Sequence, residues 1–268
     1  MKKHLLRKIL LNVVMGGVLL LPNLPATGVE AADFKYKIDD GEEQTWGGAE
    51  DLIDLIGSCI GKNVLEIGFG SGHSLLYMKE NGAAEIWGVD FSTAQKELAT
   101  KTLEGFESKL FTAPMEEEIG LPKNYFDLVY SIYAIGWSSN LAQTFQLIHS
   151  YLKPGGEFIF SWEHPYYSHI KCKDHQFYLT ESYQQEGYIQ TTKFKGEDAP
   201  MMIPKYKMAT FINELLKANF ELIELIESNI PQSMQNQEIP YSESYYSLHK
   251  ASQYPATFIV KVRKQGDL

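Results

Sequence analysis

The stretch VLEIGFGSG places one carboxylate beside three closely spaced glycines: Glu66 precedes Gly68, Gly70 and Gly72. Glycine permits positive φ and a close approach of backbone to ligand, so such a loop could hold a phosphate or another polar ligand. A Walker loop requires Lys-Ser or Lys-Thr after its last glycine, whereas His73 stands here, so a nucleoside triphosphate is disfavoured. The GxGxG spacing also departs from the dinucleotide fingerprint GxGxxG, and the glycines alone leave the ligand open.

A second carboxylate, Asp90, ends the apolar segment EIWGVD, 18 residues after Gly72. A carboxylate at the end of the second strand of an α/β sheet can accept hydrogen bonds from both hydroxyls of a ribose. The alternative is a helix N-terminal carboxylate, although Ser92 is the better N-cap. Burial of Glu66 at the end of its own apolar strand would require a hydrogen-bond donor from a positively charged ligand or a backbone amine.

Two groups that can move a proton, Glu163 and His164, follow a predicted strand and precede Pro165. Proline holds the residue before it in an extended conformation, which would keep His164 at the rim of a site. Both are candidate bases for a hydroxyl or amine substrate. The alternative is structural, with the carboxylate anchoring a lid and the imidazole bonded to backbone. Tyr133 and Trp137 could similarly offer ring faces to a cation or belong to the core.

The elements that must position these residues form a regular alternation of strand and helix. This alternation predicts a parallel sheet with helices on both faces and a binding site at the carboxyl ends of the strands. The predicted strands are Asn63–Ile67, Glu85–Asp90, Lys109–Thr112, Phe126–Ile132, Glu157–Trp162, Glu221–Glu227 and Ala256–Arg263, and the predicted helices are Ser74–Asn81, Ser92–Leu103, Leu141–Leu152 and Lys207–Asn219.

Two aromatic-rich stretches interrupt the alternation after the fifth predicted strand. The first covers residues 163–206, and the second begins near Tyr241 and ends before the last strand. Long segments without regular structure inside a compact domain are usually lids or binding loops. We therefore expect a lid insertion at 163–206, with aromatic padding of the sheet edge as the alternative.

Four segments, in this order, resemble the class I S-adenosylmethionine-dependent methyltransferases: VLEIGFGSG, WGVDFS, FDLVYSIYAIGW and YLKPGGEFIFS. The resemblance covers roughly residues 60–162. It implies an α/β fold with a doubly wound, seven-stranded, mostly parallel sheet whose last strand is antiparallel. It also implies a methyltransferase domain over 34–268 and S-adenosylmethionine as the cofactor.

The resemblance assigns cofactor contacts to the loops that follow the first four strands. No dedicated catalytic residue is obligatory, because the cofactor is already activated, and no metal is expected. The residues given roles are Glu66, Gly68, Gly70 and Gly72 at the methionine moiety, Asp90 at the ribose hydroxyls, Phe91, Met115 and Glu116 at the adenine, and Ser131 with Ile132 near the sulfonium.

Two further segments narrow the chemical class of the methyl acceptor. SWEHP at 161–165 resembles a bacterial branch of the family that carries an EHP stretch and a long lid. Amino-group methylases of adenine and glutamine have Asn/Asp-Pro-Pro-Tyr where this chain has Ser131-Ile132-Tyr133-Ala134. We therefore expect a small-molecule acceptor. An NAD-dependent oxidoreductase and a non-catalytic S-adenosylmethionine-binding protein are the alternatives.

The length of the chain allows one large α/β domain with insertions or two small ones, and its charge disfavours nucleic acid as the substrate. The chain has 268 residues, is 44% hydrophobic and carries a formal charge of −10, and an acidic protein repels phosphate backbones. Its two cysteines, Cys59 and Cys172, lack the spacing of a zinc or redox motif, and buried thiols are expected, with one disulfide as the alternative.

The N-terminal segment 1–33 is basic and then apolar. Its first residues, MKKHLLRK, precede the apolar run Ile9–Leu21, and Val29-Glu30-Ala31 resembles a signal-peptidase site. The run is shorter than the ~20 residues that span a bilayer. Because S-adenosylmethionine is made in the cytosol, we expect a cytoplasmic protein whose segment 1–22 packs on the domain or contacts a membrane. Export is the alternative.

Overall fold

The computed structural model describes residues 55–194, 197–228 and 238–265. The predicted N-terminal segment 1–33 lies outside these residues, as does the start of the domain. In chain order, the strands are β1 (Asn63–Ile67), β2 (Glu85–Asp90), β3 (Lys109–Thr112), β4 (Phe126–Ile132), β5 (Leu152–Glu163), β6 (Ile170–Lys173), β7 (Gln176–Leu179), β8 (Gly187–Phe194), β9 (Glu197–Lys205), β10 (Phe220–Glu227) and β11 (Thr257–Lys264). The helices are α1 (His73–Glu80), α2 (Thr93–Thr102), α3 (Leu141–Tyr151), α4 (Met208–Lys217) and α5 (Leu248–Ala251), with 3₁₀ turns at Ile135–Trp137 and Tyr167–His169.

Seven of these strands form one sheet in the order β10-β11-β5-β4-β1-β2-β3. Pairing is parallel between β1 and each of its neighbours, whereas β11 runs antiparallel to both β5 and β10. The predicted fold is therefore confirmed, including its antiparallel last strand. The strand order reverses between β1 and β4, which is the place where sheets of this kind bind ligands.

Both faces of the sheet are buried, which explains why the central strands read as continuous apolar runs. On β1, Leu65 and Ile67 pack with residues of α3 and α4, whereas Val64 packs on the opposite face with residues of α1 and α2. Each fully buried Leu or Val side chain stabilises the fold by about 1.5–3 kcal/mol relative to exposure. The rigid centre of the sheet thus holds the carboxyl ends of β1, β2 and β4 in fixed relative positions.

Local signals set the ends of the helices near the site. Ser92 caps α2, because its Oγ accepts a hydrogen bond from the backbone N–H of Gln95. Asn140 caps α3 in the same manner through Gln143. Gly72 precedes α1 at φ +81°, in the left-handed region that favours glycine.

The segment expected to lack regular structure contains two β-hairpins. β6 pairs with β7 and β8 pairs with β9, both antiparallel, and neither pair joins the main sheet. The expectation of an irregular insertion was therefore wrong, although the hairpins do leave the sheet where the alternation stops. The second aromatic stretch likewise contains α5.

The expectation for the two cysteines can also be compared with the structure. Cys59 and Cys172 are both buried free thiols. None of the helices within the described ranges is long and apolar enough to cross a bilayer.

Candidate cofactor and acceptor site

The three loop glycines differ in what surrounds them. A Cβ on Gly68 would overlap the Cβ of Ala134, and a Cβ on Gly72 would lie 2.9 Å from the Cβ of Ala99. A Cβ on Gly70 would have no neighbour closer than 4.0 Å, although its φ of +52° is left-handed. Gly68 and Gly72 are thus required by packing, whereas Gly70 leaves open space in which a ligand can approach the backbone.

Asp90 connects the end of β2 to this loop. Its Oδ2 accepts a hydrogen bond from the backbone N–H of Gly70, and its Oδ1 accepts one from that of Ser92, each at 2.9 Å. Burial raises the pKa of this carboxyl, while the two backbone N–H groups oppose the shift. Each oxygen retains a further lone pair, so the carboxylate can still accept hydrogen bonds from a diol.

Glu66 is buried at the end of β1, and two hydroxyls supply its donors. Ser74 Oγ lies 2.5 Å and Tyr130 Oη 3.1 Å from its Oε2. The expected donor, a cationic ligand or a backbone amine, is therefore replaced by side chains from α1 and β4. Burial raises the pKa of Glu66 to about 8, and the two hydroxyls only partly offset this shift. The carboxyl braces the start of α1 against β4, directly beneath the glycine loop.

The residues predicted to contact adenine lie directly after Asp90 and in the turn that follows β3. Phe91 follows it directly and is 44% exposed, which is unusual for a phenylalanine beside a buried strand. The backbone N–H of Ala113 donates to the Asp90 carbonyl at 3.0 Å, which brings the turn containing Met115 and Glu116 back to β2. Met115 packs on the core from this turn, and Glu116 accepts a hydrogen bond from Ser139.

Ser131 has a role that its predicted position does not reveal. It is fully buried, and its Oγ donates to the carbonyl of Ile67 at 2.8 Å. This bond fixes the end of β4 against the end of β1, so its hydroxyl serves to position the strands around the predicted sulfonium site.

Glu163 ends β5 and is held by the second aromatic stretch. Tyr245 Oη donates to its Oε1 at 2.9 Å, and Tyr246 Oη donates to its Oε2 at 2.7 Å. Burial raises the pKa of Glu163, and the two tyrosines and the charge of Lys250 oppose that shift. A carboxylate with a raised pKa at the carboxyl end of a strand is suited to accept a proton.

His164 is buried with both ring nitrogens engaged. Its Nδ1 accepts the backbone N–H of Tyr166 at 3.2 Å, so its Nε2 carries the hydrogen and donates to Glu227 at 2.8 Å. Burial lowers its pKa, with Glu227 opposing. The imidazole is therefore neutral and hydrogen-bonded through both of its nitrogens. This arrangement agrees with a structural role for His164, which the sequence left open.

Three partly buried rings lie close to the ends of β4 and β5. The Trp162 ring lies 6.1 Å from that of Tyr133 and 6.0 Å from that of Trp137, between centroids. Tyr133 Oη hydrogen-bonds to Thr257 Oγ1 on β11. We call Tyr133, Trp137 and Trp162 the edge aromatics.

Sequence reasoning missed the groups that support the two carboxylates. Tyr130 lies opposite Glu66 in the parallel register of β1 and β4, so aligning FDLVYSI with NVLEI could have found it. Tyr245, Tyr246 and Glu227 are distant in the chain from the residues they bind, and no local pattern marks them.

In the part of the chain that the structure describes, no group of three or more His, Cys, Asp and Glu could hold a metal ion.

Comparison with known proteins relates the chain and its fold to a protein family. The methyltransferase domain family matches residues 65–160. A Haemophilus influenzae protein described as uncharacterized is 30% identical over 190 residues, which are 66% of this chain and 74% of that protein. The crystal structure of an S-adenosylmethionine-dependent methyltransferase from Mesorhizobium loti has the same fold, with a TM-score of 0.69, 22% identity, and coverage of 81% of this chain and 97% of that one.

The chain belongs to the S-adenosylmethionine-dependent methyltransferases. Two named relatives are similar over less of their length. A phosphoethanolamine N-methyltransferase from Plasmodium falciparum is 28% identical over 171 residues, 58% of this chain and 63% of that protein. A malonyl-[acyl-carrier protein] O-methyltransferase from Coxiella burnetii is 34% identical over 114 residues, 41% of this chain and 36% of that protein.

S-adenosylmethionine is the cofactor of this methyltransferase, and the loop residues fit it. The open space at Gly70 admits a ligand against the backbone, and Asp90 keeps acceptor capacity for a ribose. The exposed ring of Phe91 can cover a base.

Proposed function

We propose that the methyltransferase moves the methyl group of S-adenosylmethionine to a small-molecule acceptor by in-line displacement. The bond between Gly70 N–H and Asp90 carries the proposal, because it joins an open backbone cradle to a buried carboxylate that retains acceptor capacity. The predicted contacts follow from it: the glycine loop and Glu66 at the methionine end, Asp90 at the ribose, and Phe91, Met115 and Glu116 at the base.

Alignment is the protein's main contribution to such a reaction. Bound S-adenosylmethionine supplies a methyl group on an already activated sulfonium, so the barrier falls chiefly through proximity and orientation. Ser131 fixes the ends of β1 and β4 through Ile67, and Glu66 fixes α1 against β4 through Ser74 and Tyr130. These hydrogen bonds fix the glycine loop relative to the ends of β4 and β5, at Tyr133 and Glu163, which we call the acceptor edge.

Glu163 is the group that we propose as proton acceptor, with His164 as a positioning residue. Both nitrogens of His164 are engaged, whereas each Glu163 oxygen accepts one tyrosine hydroxyl and has a further lone pair. The His164–Glu227 contact ties the turn after β5 to β10, which holds Glu163 at the end of its strand.

Three observations favour a small acceptor. The chain is acidic, which opposes binding of nucleic acid. The acceptor edge lies beside the aromatic segments 163–206 and 241–254, which we propose as its cover. One relative is a phosphoethanolamine N-methyltransferase, which is named for a small-molecule substrate.

We propose that the protein works in the cytoplasm, where its cofactor is made, as a domain over 34–268 with segment 1–33 as a packing helix or membrane contact. N-terminal sequencing of the native protein tests this location. A mature chain that starts at Ala32 would show cleavage and export.

Calorimetry with S-adenosylhomocysteine tests the cofactor site, and transfer of an isotope-labelled methyl group to metabolites of a cell extract tests the reaction. We expect saturable one-to-one binding, with no comparable binding of NAD, and labelled products of low molecular mass. Absence of S-adenosylhomocysteine binding would overturn the proposal. Binding without transfer to any metabolite would indicate a non-catalytic protein.

A further inference from the structure

We propose that Lys250 is a positioning residue for Glu163, and that its buried ammonium keeps the carboxylate ionised, as a proton acceptor must be. The proposal rests on the proposed methyl transfer, in which Glu163 accepts the proton, and it names the group that prepares Glu163 for this role. Three features of the structure carry it: the burial of Lys250, the tyrosine that contacts both charged groups, and the short segment that holds them together.

Lys250 lies on α5 in a place where an ammonium needs compensation. The residue is 1% exposed, although lysine is almost always found at the surface. The contacts of its Nζ are neutral, since it donates to the Tyr167 carbonyl at 2.7 Å and lies 3.6 Å from the Tyr167 ring centroid. Such contacts stabilise an ammonium, but a buried charge remains unfavourable without an opposite charge nearby. The burial of Lys250 therefore indicates that a neighbouring anion offsets its charge.

The anion that faces Lys250 is Glu163. Lys250 Nζ lies 4.5 Å from the ring centroid of Tyr245, and the hydroxyl of the same tyrosine donates to Glu163 Oε1 at 2.9 Å. One tyrosine therefore contacts the ammonium with its ring and the carboxylate with its hydroxyl. Glu163 is itself partly buried, and the attraction between partly buried charges is screened less than that between charges on the surface.

The ionisation of the two groups responds to this arrangement in opposite directions. Burial lowers the pKa of Lys250 to about 8, and the charge of Glu163 opposes that shift, followed by the Cys172 thiol. Burial raises the pKa of Glu163, and the hydroxyls of its two tyrosine partners, followed by the charge of Lys250, oppose that shift. Each charge thus stabilises the ionised form of the other. Without Lys250, the Glu163 carboxyl would keep its proton to a higher pH.

The other titratable groups that face Glu163 are tyrosine hydroxyls. Tyr246 Oη donates to Glu163 Oε2 at 2.7 Å. Of the edge aromatics, Tyr133 binds through its hydroxyl to Thr257, which lies opposite Glu163 on β11. Burial raises the pKa of each tyrosine around the carboxylate, so that they stay neutral at physiological pH: Tyr133, Tyr167, Tyr245 and Tyr246. Lys250 therefore supplies the positive charge that acts on Glu163.

One short segment supplies both the hydroxyl donors and the cation. The two tyrosines that bind Glu163 immediately precede Ser247, whose Oγ caps α5 by accepting the backbone N–H of Lys250 at 3.1 Å. The bond from Lys250 Nζ to the Tyr167 carbonyl then ties α5 to the turn that follows β5. A substitution at Lys250 can thus act on Glu163 through the lost charge or through the lost bond, and only the lost charge moves the pH at which Glu163 ionises.

Carbon-13 NMR of the full chain, labelled at the glutamate carboxyl carbons, measures that pH, and the Glu163 resonance is the one missing from Glu163→Gln. We expect the midpoint of Glu163 to rise in Lys250→Met by about 0.5–1 pH unit, a roughly threefold to tenfold fall in its acid dissociation constant. Lys250→Arg keeps the charge and should return the midpoint to near the wild-type value. Lys101→Met removes an exposed lysine on α2 and is the matched control, which should leave the midpoint unchanged.

The pH profile of methyl transfer provides a second readout. With labelled S-adenosylmethionine at saturation, transfer to extract metabolites by Lys250→Met should reach half of its maximum at a correspondingly higher pH than in the wild type. Lys250→Arg should restore the profile. A purely structural role for Lys250 would instead lower transfer at every pH and leave the midpoint of the profile where it is.

An unchanged Glu163 midpoint in folded Lys250→Met would overturn the proposal. If circular dichroism shows that Lys250→Met does not fold, the lysine resonance of Lys250 in Glu163→Gln gives the reciprocal measurement, because two coupled groups shift each other equally. Lys250 should then lose its proton below the value of about 8, and an unshifted titration would exclude the coupling. Failure of S-adenosylhomocysteine to bind would overturn the proposed function, whereas both NMR titrations need no bound ligand and are independent of that result.

Discussion

The Asp90 carboxylate holds the backbone N–H of Gly70 at 2.9 Å, and this single bond links the end of β2 to the loop after β1. The carboxylate also binds the backbone N–H of Ser92, which begins the cap of α2. One buried side chain therefore orders the loops that follow β1 and β2, where we propose that the cofactor binds.

Asp90→Asn should weaken S-adenosylhomocysteine binding by roughly tenfold to hundredfold, because a hydrogen bond to a charged group contributes about 1.5–3 kcal/mol. The asparagine amide would also direct a donor at one of the two backbone N–H groups that Asp90 now accepts. Calorimetry gives the affinity, and Glu107→Gln on the surface is the control. An unchanged affinity would show that Asp90 only orders the loops.

Gly70→Ala and Gly68→Ala should separate ligand approach from packing. At Gly70 the methyl group has space, so we expect a stability loss of about 1–2 kcal/mol from the left-handed backbone and a larger loss of cofactor affinity. At Gly68 the methyl group overlaps Ala134, which adds about 1–3 kcal/mol of overpacking. Thermal unfolding measures both variants. The substitution Ala134→Gly should restore part of the stability of Gly68→Ala and none of that of Gly70→Ala.

The pH dependence of stability should include a contribution from Glu66. Its pKa is raised to about 8 in the folded protein, above the value of 4.5 for an unburied glutamate, so the folded state binds the extra proton between these values. Its contribution is fully present below pH 4.5 and is lost as the pH rises towards 8. Glu66→Gln, which cannot ionise, should unfold with a smaller fall in Tm between pH 5 and 8 than the wild type. Parallel pH profiles for the two proteins would contradict the assignment.

His164 should behave in the opposite sense. Because burial lowers its pKa, its contribution is present above its unfolded pKa of about 6.5 and is lost as the pH falls below it. His164→Gln should lower the free energy of unfolding by about 1–3 kcal/mol through the loss of two partly buried hydrogen bonds. Transfer of labelled methyl groups to extract metabolites by the folded, cofactor-saturated variant should remain within a few-fold of wild type, whereas Glu163→Gln should reduce it at least tenfold. The reverse order would make His164 the base.

Much of the fold could be predicted because buried parallel strands are apolar on both faces and leave a clear pattern. The strands β1 to β4 begin and end at the predicted residues. The hairpins could not be predicted in the same way. β6 and β7 have four residues each, and the turn between them is made by Asp174 and His175 at positive φ, without the Asn-Gly or Asp-Gly pair that usually signals it.

In the candidate site, features that are local in the sequence could likewise be predicted, and contacts between distant segments could not. The positions of the glycine loop after β1 and of Asp90 at the end of β2 could be predicted because both follow short apolar strands, and their cofactor contacts stay predictions. The donors to Glu163 could not, because Tyr245 and Tyr246 reach it only after β10 has been added to the sheet and the chain has returned. The burial of Glu66 was anticipated, but the identity of its donors depended on the register between β1 and β4.

The position of β11 between β5 and β10 has a consequence for the order in which the site is assembled during synthesis. The residues that we propose as cofactor contacts are all present once β4 has been made, at Ile132. The acceptor edge is complete only after more than a hundred further residues have been made. Thr257 on β11 anchors Tyr133, and Tyr245 and Tyr246 anchor Glu163. Until β11 enters the sheet, β5 has an unpaired edge. A nascent chain thus contains the proposed cofactor contacts long before it contains the groups that anchor Tyr133 and Glu163.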